Sequence, residues 1–511
     1  MVFRELFPRS VNRQAVFLGA PEAEAEANPN SQMPLGEIYE DFHDLGRHLS
    51  SEKFIVIARK GSGKSAFGEF VVGESQVQPN LFAGFVRGSD CHLERLVQLG
   101  KNTDSHMAPE TLFTWLVLTN ILKLITQNQL LQGQKHYNLL MEFLRKNSGY
   151  IEINEYQLNE LVSKQGWEVN IEQFRRFARG KFGRDLQIRS GRAPFYKLIP
   201  HLEDTIVDIL SGADERDNRN NYVLFFDDLD VGFDAESETS RESLISLIRS
   251  CRRINNEVFG KRGLSAKAII FLRDDIESHL TGMYADSAKV FASYGVKVSW
   301  FQDAYLGAEE NDLYIKRFIN RRISYAFRKA MLDCNDDDPW VSLVDYREND
   351  KSTFKFVLNN TLFRPRDLLL FFKPLENGAF SLPLDRSQIQ SLTNQYVEEL
   401  SKEIKNEMSS FYSASQVEMI FNAVGQMSRE RYSSFDRAIE SIERHCSGLD
   451  PEKTLRYLFD RSIIGNVDSR GWFTFKCRQP VNSPNPTRLD PDQQVVVQYG
   501  ISNYLQRHGY T

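Results

Sequence analysis

Apolar and polar positions along this chain form short apolar runs separated by longer stretches with helical periodicity. The runs at 54–58, 81–86, 222–226 and 268–272 have the length and composition of buried strands. A fifth strand is expected at 296–300. Because helical stretches lie between these runs, the pattern predicts an α/β fold in which helices cover a parallel sheet.

Helical periodicity also predicts elements outside the sheet. A helix is expected at 36–49, ahead of the first strand, and a long basic helix at 313–330. Apolar residues recur at helical spacing in the region 109–210, which predicts a helical insertion. The segment 20–30 is polar and rich in alanine and glutamate, so we expect it to be a mobile arm or a linker.

The C-terminal part of the chain predicts three helices followed by two short strands. The helices are expected at 417–427, 435–442 and 455–464, and the strands at 472–475 and 494–498. This order resembles a winged-helix domain. Acidic residues lie among the basic ones on these helices, so no phosphate-binding surface is evident, and contact with protein and contact with DNA both stay open.

Composition narrows the class of protein. The chain has 511 residues, of which 41% are hydrophobic and 26% charged, as expected for a water-soluble protein of roughly two to four domains. No apolar run approaches the ~20 residues of a membrane-spanning helix, and the N-terminus lacks an apolar signal core. Five scattered cysteines without C-x-x-C spacing favour the reducing cytoplasm. The formal charge of −6 gives no overall attraction for nucleic acid.

A glycine-rich sequence directly after the first strand predicts a phosphate-binding loop. Gly61 and Gly63 allow the backbone to curl so that successive N–H groups point at phosphate oxygens, and the N-terminus of the next helix favours the same anion. Lys64 is expected to reach the β- and γ-phosphates of ATP, and the Ser65 hydroxyl to ligate Mg²⁺. The residues expected to line the nucleotide here are Arg59, Lys60, Gly61, Ser62, Gly63, Lys64, Ser65 and Ala66.

Carboxylates and an arginine follow two other strands. Asp227 and Asp228 come at the end of the run 222–226, and the carboxyl edge of a parallel sheet is where nucleotides bind. We expect Asp227 to hold Mg²⁺, generally through water, and Asp228 to orient or deprotonate the attacking water. The role of Asp230 is open. Arg273 follows the next strand and is expected to sense the nucleotide or to stabilise charge in the transition state.

A basic segment with interleaved phenylalanines lies within the helical insertion. Its basic residues are Arg175, Arg176, Arg179, Lys181, Arg184, Arg189 and Arg192. Arginines of this kind can hold phosphates while aromatic rings stack on bases, which favours nucleic acid or an acidic partner. A solvated loop beside core phenylalanines explains the same pattern, so both interpretations stay open.

Four motifs occur in an order that resembles a known family. They are Ala-Arg-Lys-Gly-Ser-Gly-Lys-Ser at 58–65, Phe-Phe-Asp-Asp-Leu-Asp at 225–230, Phe-Leu-Arg-Asp-Asp-Ile at 271–276 and Phe-Arg-Pro-Arg-Asp-Leu-Leu at 363–369. The chain resembles bacterial P-loop ATPases of the additional-strand group, including KAP, STAND and origin-recognition-like AAA+ ATPases, and particularly those encoded near anti-phage defence genes. The chain departs from the usual loop pattern at Ala58, where a glycine is usual.

The resemblance implies a role for an arginine at the start of a lid helix, which contacts the nucleotide from a second side. Arg366 matches that position, and Arg364 is the alternative; an ordinary surface ion pair stays open for both. The implied domains are an N-terminal arm at 1–35, an ATPase core at 36–305 that contains the insertion, a helical lid at 306–405 and a winged-helix-like domain at 406–511.

The sequence therefore predicts an ATP-binding and ATP-hydrolysing switch that uses Mg²⁺ and regulates a partner. The resemblance implies a homo-oligomer, a protein effector subunit, or both, in bacterial anti-phage defence. Two alternatives stay open: a DNA-engaged AAA+-like remodeller or initiator, and a nucleotide-binding module that does not hydrolyse ATP.

Overall fold

The structure is a computed structural model, and it divides into two compact units. The residues it describes are 15–89, 93–94, 97–98, 109–131, 135–147, 168–170, 192–214, 220–284, 286–307, 310–345, 352–480 and 487–510. The first unit comprises the described residues within 1–42, 59–66 and 298–511. The second comprises those within 43–58 and 67–297.

The second unit is built on a parallel sheet. In chain order the strands of the described residues are β1 (Ile55–Ala58), β2 (Leu81–Arg87), β3 (Glu168–Asn170), β4 (Arg192–Pro194), β5 (Asn221–Asp227), β6 (Ala266–Arg273), β7 (Gly295–Lys297), β8 (Ile464–Val467), β9 (Phe473–Thr474) and β10 (Gln494–Val497). Five of them form one parallel sheet in the order β2-β5-β6-β1-β7. This sheet confirms the predicted α/β fold. Strand β6 lies between β1, which precedes the glycine-rich loop, and β5, which ends at Asp227.

Burial explains why the central strands have such apolar sequences. All positions of β6 are buried, and so are all positions of β5 after its first residue. Such strands have both faces covered, as parallel sheets require. The last strand, β7, is shorter than predicted, because the segment from Val298 to Trp300 lies outside any strand.

Helices account for most of the remaining described residues. In chain order they are α1 (Ala23–Ala27), α2 (Leu35–Ile38), α3 (Lys64–Ser75), α4 (Pro109–Thr126), α5 (Lys135–Lys146), α6 (Ile199–Asp214), α7 (Glu238–Arg253), α8 (Asp274–Met283), α9 (Ser287–Tyr294), α10 (Tyr314–Ala330), α11 (Pro339–Leu343), α12 (Thr353–Asn359), α13 (Pro365–Phe372), α14 (Arg386–Met408), α15 (Ala414–Ser428), α16 (Phe435–His445), α17 (Pro451–Asp460) and α18 (Tyr499–Arg507). The predicted helix at 36–49 is wrong: α2 ends at Ile38, and a short 3₁₀ turn follows at Leu45–Leu49 after Asp44, whose φ of 53° interrupts a right-handed helix.

Helix α3 packs on the sheet through its glycine. A Cβ at Gly68 would lie 2.7 Å from the ring of Phe85 and 2.9 Å from that of Phe271, so only glycine allows this close approach. Phe67 packs edge-on against Phe225, with ring centroids 5.9 Å apart. These contacts fix the helix that follows the glycine-rich loop against strands β2, β5 and β6.

The helical insertion is described in part. Helices α4, α5 and α6 lie there, and β3 pairs with β4 in an antiparallel hairpin. Twelve residues of α4 are buried, which agrees with its predicted apolar repeat. The predicted basic patch lies outside the described residues, except for Arg192, which begins β4.

Described residues on both sides of the expected arm or linker at 20–30 are buried in the first unit, and so is Glu26 within it. Val16, Leu18 and Met33 are almost fully buried in the hydrophobic core that they share with α10 and α13. Glu26 is also buried and accepts two hydrogen bonds from the guanidinium of Arg322, at 2.5 and 2.8 Å. The alanine- and glutamate-rich composition is therefore compatible with a packed segment, because Glu26 has a buried cation as its partner.

The C-terminal elements follow the predicted order of three helices and then strands, with one strand more than expected. Helices α15, α16 and α17 precede an antiparallel sheet of order β10-β8-β9. Strand β8 includes Ile464, where the sequence pattern predicted the end of a helix; α17 ends instead at Asp460. The same hydrophobic core continues from α14 into these elements, so they belong with α14 to one compact unit.

None of the helices in the described parts of the chain is both long enough and apolar enough to cross a membrane.

Candidate nucleotide-binding site

The glycine-rich loop of the first unit has the curled backbone that its sequence predicts. Gly61 has φ 78° and Gly63 has φ 91°, values that L-residues rarely adopt. Ser62 is buried, and its backbone N–H donates to the carbonyl of Arg59 at 3.3 Å. Helix α3 begins at Lys64, directly after the second glycine. This combination of a curled loop and a helix N-terminus is suited to bind an anion.

The side chains at the start of α3 are half-buried. Lys64 Nζ donates to the carbonyl oxygen of Arg59 at 3.2 Å, so the lysine ammonium lies over the loop backbone. Ser65 and Ala66 occupy the first turn of the helix. The guanidinium of Arg59 donates to Ser462 and to the carbonyl of Arg461 in the C-terminal domain.

Two residues far along the chain, Trp300 and Arg364, donate hydrogen bonds to the loop backbone. The indole N–H of Trp300 donates to the Ser62 carbonyl at 2.9 Å, and both residues are buried. Arg364 Nη1 donates to the Lys60 carbonyl at 3.1 Å. Sequence reasoning assigned Trp300 to a strand, and nothing local in the sequence signals this contact across 238 positions.

Arg364 is a buried cation that pairs with three carboxylates. Its side chain is 1% exposed and forms ion pairs with Asp367 at 2.8 Å, Glu407 at 2.7 Å and Glu403 at 3.1 Å. Burial alone would lower the pKa of the Arg364 guanidinium, but these carboxylates raise the pKa well above its ordinary value. Arg364 therefore joins the start of α13 to α14 and to the loop, and it is not an ordinary surface ion pair.

Arg366 lies against the loop through its backbone and the base of its side chain. Its N–H donates to the Gly61 carbonyl at 3.3 Å, and a Cβ at Gly61 would lie 2.9 Å from Arg366 Cβ. The guanidinium contacts the Pro21 carbonyl at 3.2 Å, Glu22 at 2.9 Å and Glu403 at 3.5 Å. The structure thus places Arg366 beside the loop, and contact with nucleotide stays a prediction.

The carboxyl edge of the parallel sheet carries the predicted acids. Strand β5 ends at Asp227, which is buried and accepts a hydrogen bond from the N–H of Asp228 at 2.9 Å. Asp228 has φ 54°, so the chain turns sharply where the strand ends. The Asp228 side chain is 42% exposed, which leaves it accessible to solvent.

Arg87, at the end of the neighbouring strand β2, lies beside the exposed carboxylate. Its Nη1 is 3.5 Å from Asp228 Oδ2, and its Nη2 is 2.5 Å from Glu69 of α3. The arginine is thus shared between two carboxylates at one sheet edge. A partial signal for Arg87 was present in the sequence, because a polar residue at the carboxyl end of a strand in this sheet is a candidate site residue.

Gly88 allows the β5 turn to approach the end of β2. Its N–H donates to the Asp227 carbonyl at 2.8 Å, and a Cβ at this position would lie 2.2 Å from the Asp228 carbonyl oxygen. A side chain at Gly88 would therefore collide with the backbone that carries the Asp228 carboxylate.

Substituting Gly88→Ala is expected to lower the free energy of unfolding by about 1–3 kcal/mol, because backbone must move to admit the methyl group. Denaturant unfolding of the purified variant measures this loss. Gly73→Ala is the matched control: its Cβ would meet no atom within 4 Å, and replacing a helical glycine is expected to stabilise by ~0.5–1 kcal/mol. Equal unfolding midpoints for the two variants would contradict the assigned close approach.

Arg273 is a buried ion-pair partner of two aspartates. Its Nη1 donates to Asp230 at 2.9 Å and its Nε to Asp275 Oδ1 at 3.0 Å, while Nη2 contacts the second oxygen of Asp275. The side chains of Arg273 and Asp275 are 6% and 5% exposed. Asp230, whose role the sequence left open, thus helps to fix Arg273 at the end of β6, and a nucleotide-sensing role for this arginine stays a prediction.

Two of the predicted residues have the donor chemistry that suits magnesium. The Ser65 hydroxyl and the Asp227 carboxylate both offer oxygen, which Mg²⁺ prefers to nitrogen or sulfur. Asp227 ends a buried strand, and Ser65 is in the first turn of α3. The described residues include no group of three or more His, Cys, Asp or Glu side chains that could hold a metal ion. Ser65 and Asp227 thus each fit Mg²⁺ by their oxygen chemistry taken separately.

Comparison with protein families and curated proteins gives one partial match. Residues 314–405, which include α10 to α13 and most of α14, match the family described as the FunZ-associated C-terminal helical domain. A search of curated proteins finds no match.

The chain is also similar to solved structures of two archaeal proteins. For Cdc6 of Pyrobaculum aerophilum the identity is 10% and the TM-score 0.30, over 96% of this chain and 99% of that one. For ORC2 of Aeropyrum pernix in its ADPNP–ADP complexes the identity is 12% and the TM-score 0.32, over 99% of each chain. For its ADP form the values are 13% and 0.28, over 94% and 95%.

Proposed function

We propose that this protein binds ATP at the loop of residues 59–66 and hydrolyses it as a regulatory switch. The observation that carries the proposal is the loop itself: two glycines with positive φ, followed at once by a helix that begins at Lys64. Backbone N–H groups of such a loop bind phosphate oxygens, and the lysine supplies a compact positive charge for the β- and γ-phosphates.

The proposed hydrolysis uses the acids at the sheet edge. Mg²⁺ held by Ser65 and Asp227 would neutralise charge on the phosphates. Asp228 orients the attacking water and accepts its proton, a role for which its exposed carboxylate is suited. Arg87 holds the direction of that carboxylate, because its Nη1 lies 3.5 Å from Asp228 Oδ2 while its Nη2 is paired with Glu69.

The proposed output is a change in the lid and C-terminal domain. These elements share one hydrophobic core, so a displacement of the lid would carry the winged-helix-like domain with it. We extend the proposal to control of a partner, either an effector subunit or a second copy of this chain. From the motif resemblance we further propose a role in bacterial anti-phage defence, which plaque counts of cells expressing wild type or Lys64→Ala together with the neighbouring genes would test.

Phosphate release from ATP tests the proposed activity. Wild type with Mg²⁺ is expected to turn ATP over, and Lys64→Ala to lose about 10²–10³-fold in rate, because one charge that stabilises the transition state is removed. Lys289→Ala, which removes an exposed lysine of α9, is the control and is expected to match wild type. If ATP raises the melting temperature but phosphate release stays at background, the protein is a binding module without hydrolysis.

A further inference from the structure

The phosphate loop is attached to the C-terminal domain through the side chain of Arg59. Arg59 Nη2 donates to the carbonyl of Arg461 at 2.5 Å, and Nη1 donates to Ser462 Oγ at 3.3 Å. Charge-assisted hydrogen bonds of this kind are stronger than neutral ones. Arg461 and Ser462 connect helix α17 to strand β8. The loop therefore contacts the junction between the helices of the C-terminal domain and its antiparallel sheet of β8, β9 and β10, which we call the wing.

Ser462 has a strained backbone conformation at this contact. It is fully buried and has φ 58°, a left-handed backbone conformation that non-glycine residues rarely adopt. Its hydroxyl oxygen also accepts a hydrogen bond from the N–H of Cys477 at 2.7 Å. One oxygen thus joins the phosphate loop to the 3₁₀ turn Lys476–Arg478, which follows β9 of the wing.

A second connection runs from the C-terminal domain to the lid. Gln498, at the start of α18, is 1% exposed, and its side-chain amide donates to the carbonyls of Asn359 at 3.0 Å and Thr361 at 3.1 Å. Its backbone N–H donates to the Ile463 carbonyl at 3.0 Å, one residue after Ser462. The lid segment that begins at Thr361 leads directly to Arg364.

These hydrogen bonds link the loop, the C-terminal domain and the lid in a continuous ring within the first unit. Arg59 contacts Ser462, the adjacent Ile463 contacts Gln498, Gln498 contacts the lid, and Arg364 of the lid donates to the Lys60 carbonyl. A displacement of the loop backbone at residues 59–60 would therefore break or shift hydrogen bonds to the C-terminal domain, to Arg364 of the lid, or to both.

We propose that Arg59, Ser462 and Gln498 are positioning residues. Through them the C-terminal domain sets the affinity of the loop for nucleotide, and through them bound nucleotide changes the conformation of the wing. The proposal rests on the proposed function. The coupling begins at Arg59, whose carbonyl oxygen accepts a hydrogen bond from Lys64 Nζ at 3.2 Å. Phosphate oxygens of the nucleotide compete with this carbonyl oxygen for the Lys64 ammonium group. Nucleotide binding therefore alters the backbone of Arg59, whose guanidinium donates to Ser462. Because coupling between sites is reciprocal, a change at Ser462 alters nucleotide affinity by the same factor.

Hydrogen exchange at the Cys477 amide tests the direction from nucleotide to wing. In the full-length wild type, saturating Mg-ADP is expected to change its exchange rate by about fivefold or more, the lower end of usual allosteric coupling. In Arg59→Met, compared at matched saturation, the nucleotide-dependent change is expected to disappear. The control, Arg444→Met, removes an exposed arginine of α16 and is expected to retain the full change.

Nucleotide affinity tests the opposite direction with a variant outside the loop. Ser462→Ala is expected to weaken Mg-ADP binding by about fivefold or more, whereas Ser469→Ala, at an exposed turn of the same domain, leaves the dissociation constant unchanged. A purely structural role for Ser462 would lower stability but leave the affinity of the folded protein as in wild type.

The outcomes separate this inference from the proposed function. Failure of wild type to bind Mg-ADP overturns the proposed function and the inference together. Binding by wild type without a change at Cys477, or with the same change in Arg59→Met, overturns the inference alone. An unchanged dissociation constant in folded Ser462→Ala also overturns it, and that measurement does not depend on whether Arg59→Met folds.

Discussion

Arg364→Met is expected to lower the free energy of unfolding by about 3–5 kcal/mol, the usual loss when one partner of a buried ion pair is removed. The substitution takes away the cation shared by Asp367, Glu403 and Glu407 in a place where the guanidinium is only 1% exposed. It also removes the donor to the Lys60 carbonyl. The measurement is the free-energy difference from wild type in denaturant unfolding.

Arg444→Met provides the matched control for the same chemical change at an exposed position of α16, where a shift within ~0.5 kcal/mol is expected. Glu407→Gln, which keeps the volume but removes one of the three charges, is expected to cost less than Arg364→Met. Stability of Arg364→Met within error of the Arg444→Met control would show that the buried charge network contributes nothing to the lid, contrary to this account.

Asp228→Asn is expected to reduce the rate of ATP hydrolysis by about 10²–10⁴-fold while nucleotide still binds, because an amide cannot accept the proton of the attacking water. The substitution is nearly isosteric and leaves the phosphate loop unchanged. Single-turnover phosphate release measures the loss, and titration with a fluorescent ADP analogue measures the retained affinity.

The control for this second prediction is Asp312→Asn, which makes the same change at an exposed residue before α10 and is expected to hydrolyse ATP at the wild-type rate. Full hydrolysis by Asp228→Asn would remove this residue from the proposed mechanism. Loss of nucleotide binding together with hydrolysis would instead indicate that the carboxylate acts on binding.

The elements that the sequence predicted best are those in which local pattern and tertiary environment agree. Strands β5 and β6 are buried along nearly their whole length, so their apolar runs could be recognised without knowledge of their neighbours. Gly61 and Gly63 are required by their own backbone angles, which are a local property. The helix at 36–49 failed because Asp44 adopts a left-handed conformation that helical periodicity alone does not reveal.

The contacts that complete the candidate site join residues far apart in the sequence. Arg59 and Ser462 are separated by 403 positions, and Arg364 and Lys60 by 304. Arg59, Lys60 and Arg364 lie in motifs that can be recognised locally, but no local pattern pairs them with these partners, and only the fold brings them together. The N-terminal segment shows the same limit, because Glu26 appears solvent-exposed by composition until Arg322 is found beside it.

The central claim is that the loop of residues 59–66 binds ATP, and equilibrium titration of the full-length protein with Mg-ATP by calorimetry tests it most directly. We expect saturable binding of one ATP per chain by wild type and a large loss of affinity in Lys64→Ala, whereas Lys289→Ala binds as wild type does. Absence of binding by the folded wild type, or equal affinity in Lys64→Ala, would contradict the account.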